Sequence, residues 1–162
     1  MANTTIQNPP VAPAFTASAE LTASLQRALV DVTALSLVGK QIHWNVVGPN
    51  FRDLHLNLDE VVLIAREGSD QLAERMRAIN VYPDARPETV ASQTSVPQAP
   101  EAAVITADAV NYIVSAINAV TITLREIHSV VDDADPSSVG IIEDQLQRLE
   151  QQSWFLSAQN YS

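Results

Sequence analysis

The 162-residue sequence predicts an all-α chain of four long helices, the second and third joined by a connection too long for a turn. Three observations carry that prediction. Apolar residues recur at three- and four-residue steps along four long stretches, the pattern of helices with one buried face. Only 5% of the residues are aromatic against 46% apolar, and there are four glycines, which suits aliphatic helix packing better than sheet. The nine prolines avoid the interiors of those stretches, and four of them gather in Val81–Ile105. A chain of this length forms one domain with a sizeable core.

Residues 1–19 carry three prolines and no charged side chain, and read as a flexible arm or one laid over a neighbouring subunit. The bundle domain is expected over 20–162. Its first helix runs from Glu20 to Val46, with Leu21, Leu25, Leu29, Val32, Leu35 and Ile42 on one face. Gly48-Pro49 breaks that helix, and Asn50 reads as the N-cap of the second. From Phe51 to Asn80 the buried face is Leu54, Leu58, Val61, Val62, Ala65, Leu72, Met76 and Ile79.

Val81–Ile105 must then cross the bundle and join parallel helices, with a short helix opening at Pro87. Thr106 is the expected cap of the third long helix, which reaches Val131. Its apolar set is Val104, Ile105, Val110, Ile113, Val114, Ile117, Val120, Ile122, Leu124 and Ile127. So many β-branched residues disfavour helix by propensity, and a strand reading of parts of it competes; length and the interspersed Asn and Thr favour a helix held by burial. His128 stands near its end without a ligand-spaced partner. Asp135-Pro136 opens the fourth helix, which runs through Ile142, Leu146, Leu149 and Trp154.

The chemistry concentrates around the second helix. His43, His55, Asp59, Asp70 and Glu74 follow the spacing H-x11-H-x3-D-x10-D-x3-E. His55 and Asp59 are one turn apart, as are Asp70 and Glu74, so each pair shares a face. Asp59 and Asp70, however, lie about 16 Å apart along the axis. Metal bonds to oxygen and nitrogen are about 2 Å long, so one ion cannot reach both pairs. The spacing is symmetric about Ile64–Ala65. Two copies of the helix packed antiparallel about a two-fold at that point would set His55 and Asp59 of one chain against Asp70 and Glu74 of the other, giving two complete sites. The short connection folds the first helix back and brings His43 level with His55. Two imidazoles and three carboxylates suit Fe(II) or Mn(II), and zinc less well.

At these residues the chain resembles the Dps proteins, the mini-ferritins named as DNA-binding proteins from starved cells. The likeness rests on KQIHWNVVGPNF, HLNLDE and DQLAER, and covers roughly residues 20–160. It implies a ferritin-like four-helix bundle whose short extra helix lies at a two-fold interface. It further implies a hollow homododecamer with intersubunit ferroxidase centres, where His43, His55 and Asp59 of one subunit face Asp70 and Glu74 of the next. Iron is the implied metal, Fe(II) is oxidised to Fe(III) by hydrogen peroxide or dioxygen, and ferric mineral is stored, protecting DNA from oxidative damage. The resemblance also gives Trp44 a place beside the centre as an electron donor; a core aromatic under the hairpin is the competing reading. Asp132, Asp133, Asp135 and Glu143 read either as acids of an iron-uptake pore or as charges of a solvated turn and helix start. Glu60 and Glu67 read as cavity acids that seed mineral.

The net charge of −10 argues against a broadly basic nucleic-acid surface and suits a protein that attracts cations. No Lys or Arg occurs before Arg27 or after Arg148, so the basic tails with which DNA-condensing relatives hold DNA are absent and DNA binding is expected to be weak. The absence of cysteine removes disulfide and thiol chemistry. With no basic, apolar leader and no run of eighteen apolar residues, the expected location is cytoplasmic, with nucleoid association an alternative. Two further functions stay open. One is a nucleoid DNA-binding protein with an incidental metal site. The other is a di-metal enzyme bundle, against which stands the lack of any Glu-x-x-His.

Overall fold

A computed structural model describes residues 14–160, so most of the expected arm lies outside the described residues. The long helices are α1 (Ala19–Asn45), α2 (Phe51–Ala78), α4 (Thr106–Ala134) and α5 (Pro136–Gln159), with a short α3 (Pro87–Gln93) in the connection between α2 and α4. The expected all-α bundle with its crossover is what the chain forms, and the competing strand reading of α4 is overturned. Ser18 caps α1 by accepting a hydrogen bond from the Leu21 amide at 3.0 Å.

Two expected caps are not side-chain caps. Asn50 occupies the N-cap position of α2 without a side-chain hydrogen bond, and its contribution is a left-handed turn (φ 58°), which asparagine tolerates. Gly48 shares the turn at φ 117°, where an added Cβ would meet Ile105 and Thr106. Thr106 is the first helical residue of α4, and Ile105 before it takes the extended cap conformation.

The turn is tied to the crossover by a parallel bridge that the sequence did not reveal. Val46 and Val47 (β1) pair with Val104 and Ile105 (β2). Further along, the buried carboxylate of Asp31 accepts hydrogen bonds from Thr94 Oγ1, Ser95 N, Ser95 Oγ and Thr123 Oγ1 at 2.7–2.9 Å. A buried charge is tolerable when its lone pairs are satisfied in this way, and here it joins α1, α4 and the crossover. The Tyr112 hydroxyl donates to the Pro97 carbonyl at 2.7 Å, and burial pushes its pKa up to about 12.

The expected apolar faces of α1 and α2 are buried throughout. Of the apolar set expected for the third long helix, Ile105, which lies in β2, and Ile122 on α4 are exposed instead, and on α5 Leu156 takes the core place expected of Trp154, which is 67% exposed. The apolar windows of α1 and α4 are long enough to cross a membrane by length and composition. They are 61% and 50% buried within the bundle, which accounts for their apolarity.

Between α2 and α5 runs a polar seam with buried Ser138, Gln145 and Gln152 at seven-residue steps on α5. Ser138 accepts from Arg75 at 2.9 Å, and Gln152 donates to Glu60 at 3.2 Å. Gln145 lies against Gly68, where a Cβ would come within 2.3 Å of its carboxamide. Gly68 therefore allows the two helices to approach.

Candidate metal centre

The hairpin of α1 and α2 sets two imidazoles face to face. The rings of His43 and His55 stack with centroids 3.7 Å apart and planes inclined by 23°. Each ring nitrogen Nδ1 meets the other residue's backbone carbonyl, at 3.0 Å for His43 and 3.1 Å for His55. A carbonyl only accepts, so both Nδ1 atoms must carry the proton. That fixes the tautomer and leaves the Nε2 lone pairs for a metal. Phe51, one turn before His55, packs against its ring with centroids 5.1 Å apart.

Asp59, one turn after His55, completes the cluster. One ligand atom from each of His43, His55 and Asp59 lies within 4.8 Å of the others, and this is the single group of three such side chains among the described residues. Asp59 Oδ1 is also 3.4 Å from His43 Nδ1. Burial is the main cause holding the His43 pKa below its usual value, so the ring stays neutral and able to ligate at lower pH than a free histidine. Asp59 is held below the usual carboxylate range, chiefly by a hydrogen bond from Lys40.

Lys40 is the residue that sequence reasoning missed. Its ammonium group donates to Asp59 Oδ1, and its side chain is only 21% exposed. It lies three residues before His43, so helical spacing alone would have placed it on the same face. It balances the Asp59 charge, and an arriving cation must compete with it.

Asp70 and Glu74 are exposed and have no ion-pair partner among the described residues. They do not join the histidine cluster within one chain. Trp44 is 69% exposed, which overturns the reading of a core aromatic under the hairpin. Glu67 is ion-paired with Arg148 at 2.7 Å, and Glu60 accepts from the neutral Gln152, so the two expected cavity acids differ in free charge.

Of the expected pore acids, Asp132, Asp133 and Glu143 are exposed, but Asp135 is not. It is 7% exposed and bound by Arg75 Nη2 at 2.6 Å and by the Ser138 hydroxyl. Burial opposes ionisation of Asp135, and these hydrogen bonds outweigh it, leaving its pKa lowered. Asp135 thus pins the α4–α5 corner to α2 and is unavailable as a pore charge.

A four-helix bundle with a crossover and a His/His/Asp cluster on its first hairpin defines a ferritin-like protein, and the ferritin-like domain model matches residues 22–160. Dps from Microbacterium arborescens, solved in its high-iron form, superposes with a TM-score of 0.82 at 33% identity, covering 90% of this chain and 98% of that one. The DNA protection during starvation protein of Halobacterium salinarum is 45% identical over 73 residues, a match covering 45% of this chain and 40% of that relative. The fine tangled pili major subunit of Haemophilus ducreyi is 31% identical over 139 residues, covering 83% of this chain and 71% of that protein. The chain belongs to the Dps family of ferritin-like proteins.

Proposed function

We propose that this protein is a mini-ferritin that oxidises Fe(II) at centres shared between two subunits and stores the ferric product in a hollow homododecamer. The observation that carries this reading is the division of α2. His43, His55 and Asp59 converge within one chain, whereas Asp70 and Glu74 sit about 16 Å further along, exposed and without a partner among the described residues. Exposed Leu56 and Leu63 lie on the same outward face as Asp59, Asp70 and Glu74, at about 100° per residue. Leu63, between Asp59 and Asp70 on that face, lies close to the symmetry point at Ile64–Ala65, where an isologous helix pair would bury it.

In this assignment the Nε2 atoms of His43 and His55 and the Asp59 carboxylate hold Fe(II) from one side, and the partner's Asp70 and Glu74 from the other. The carboxylates favour Fe(III) over Fe(II) and so favour oxidation. Two Fe(II) and one hydrogen peroxide, with two protons, give two Fe(III) and two water molecules. No hydroxyl radical is released, so consuming iron and peroxide together protects DNA. Dioxygen is the other oxidant the reading admits. In this reading Trp44, next to His43 in the sequence and exposed, is the electron donor to the centre. The cation-attracting charge suits work in the cytoplasm.

The experiment is Fe(II) oxidation by hydrogen peroxide and by dioxygen, with native mass measured on the same sample. A dodecameric mass with peroxide-dependent oxidation lost in His43→Ala/His55→Ala supports the assignment. Monomeric mass, or oxidation unaffected by those substitutions, contradicts it. The alternative function, a DNA-condensing protein, is tested by gel shift. At about 0.15 M salt the chain should retain no duplex DNA at nanomolar protein.

A further inference from the structure

Between its two acid pairs α2 carries one basic side chain, Arg66. The two glutamates of the same stretch are taken up by α5: Glu60 accepts from Gln152, and Glu67 pairs with Arg148. Arg66 turns the other way. At about 100° per residue it stands about 20° around the helix from Asp59 and about 40° from Asp70. It is exposed, lines one open groove with Asp70, and makes no ion pair among the described residues.

We propose that Arg66 is the counter-ion that lets the shared centre stand without metal, by pairing with its own Asp70 and, across the two-fold, with the partner's Asp59. The inference rests on the two-chain centre proposed above. A two-fold at Ile64–Ala65 sets the partner's Asp59 opposite Asp70, and Arg66 lies one turn from that level, about 6 Å along the axis. An extended arginine side chain covers such a step, and its planar fork of five donors serves two carboxylates at once.

The charges of the centre call for such a group. Pairing gathers Asp59 of one chain with Asp70 and Glu74 of the other, three carboxylates against the ammonium group of Lys40. Like charges crowded together at an interface repel, and that repulsion opposes assembly. Lys40 offsets it from the histidine half, and Arg66 offsets it from the other. A divalent ion relieves the same repulsion when it binds, so ion and guanidinium serve the same carboxylates in turn. Without Arg66 the paired state should therefore depend on metal. By the reciprocity of linkage, metal should then bind the paired state more tightly.

The test is native mass of the full-length chain against dilution, after chelation and again with Co(II), for the parent, Arg66→Gln and Arg66→Lys. Circular dichroism is the control for folding. Without metal and at low salt, Arg66→Gln should fall to monomers at a protein concentration roughly threefold to tenfold higher than the parent, since two such pairs are lost per dimer. Arg66→Lys keeps the charge and should stay near the parent. Co(II) should close the gap, and calorimetry should show Arg66→Gln binding Co(II) more tightly by a similar factor. At about 1 M salt, where the Debye length is about 3 Å, the gap should shrink. Equal dissociation of parent and Arg66→Gln without metal overturns the proposal, as does a loss in Arg66→Lys as large as that in Arg66→Gln. A monomeric parent overturns the two-chain centre and this inference together, whereas a dodecameric parent indifferent to Arg66→Gln overturns this inference alone. Should glutamine disturb the fold, Arg66→Met reads the same outcome.

Discussion

The two ends of α2 use the same device to opposite effect. His55 and Asp59 near its start, and Asp70 and Glu74 further on, are each a pair of ligand-type side chains one turn apart. The first pair is finished within the chain: stacked on His43, oriented by backbone carbonyls and balanced by Lys40. The second is exposed and, among the described residues, unpaired. The difference comes from what each end packs against. α1 folds back over the first pair through a tight turn, while the second lies where the chain offers no imidazole. A spacing that gives ligands therefore gives a site only when another element closes over it, and for Asp70 and Glu74 that element is proposed to be a second copy.

The largest expected effect comes from removing either half. His43→Ala/His55→Ala and Asp70→Ala/Glu74→Ala should each slow Fe(II) oxidation by at least about tenfold, the lower range for disturbing a metal's surroundings. Their stabilities should diverge. The histidine variant loses the stack and two hydrogen bonds and should melt lower, whereas Asp70→Ala/Glu74→Ala should leave the isolated chain within about 0.5 kcal/mol of the parent. Equal melting temperatures for the two variants would remove the contrast.

Next in size is the helix stretch between the halves. Gly68→Ala places a Cβ 2.3 Å from the buried Gln145 carboxamide and should destabilise by about 1–3 kcal/mol, measured by urea unfolding. Combining it with Gln145→Ala should recover part of that loss, a coupling that a double-mutant cycle reads directly.

Lys40→Met tests the charge balance of the finished half. With no ammonium group to displace, Co(II) affinity at the hairpin should rise severalfold, as seen by calorimetry, while Lys40→Arg should stay near the parent. A Lys40→Met variant that binds Co(II) more weakly would make Lys40 a support for Asp59 rather than a competitor of the ion.

The smallest effect is on pH dependence. The folded pKa of His43 lies below its unfolded value near 6.5, so between those two values the unfolded chain binds more protons. The stability associated with neutral His43 is thus present above about pH 6.5 and lost as pH falls through that value toward the lower folded pKa. Asp59 acts at lower pH: its depressed pKa adds stability above the ordinary carboxylate range that is lost on further acidification. The melting temperature of the parent should fall more between pH 7 and pH 5.5 than that of His43→Gln. Parallel curves would show that His43 does not couple to folding.

Much of this was legible in the sequence because it is local. Helical periodicity gave the apolar faces of α1 and α2, and one-turn spacing gave the His55/Asp59 and Asp70/Glu74 pairs. What was not legible depends on which segment lies opposite. The β1–β2 bridge and the Asp31 node join residues far apart in sequence, so no spacing announces them. Trp154 stands about 140° around the helix from Leu149, whereas Leu156, seven residues on, keeps the face of Ile142, Leu146 and Leu149, so the helical repeat itself points to Leu156. Asp135 and Glu67 read as free acids until Arg75 and Arg148 are found beside them. Glu143 became a hydrogen-bond partner of His128 only when α4 and α5 were laid together. Lys40 is different, since its spacing from His43 was readable and its opposition to Asp59 was not.

The account's central claim, that each centre needs two chains, is tested most directly by complementation. His43→Ala/His55→Ala chains and Asp70→Ala/Glu74→Ala chains are unfolded, mixed in equal amounts, refolded and assayed for Fe(II) oxidation. In a two-fold pair, half of the dimers are mixed and each mixed dimer rebuilds one of its two centres, so about a quarter of the parental activity should return. Activity no greater than that of either variant refolded alone would contradict the shared centre.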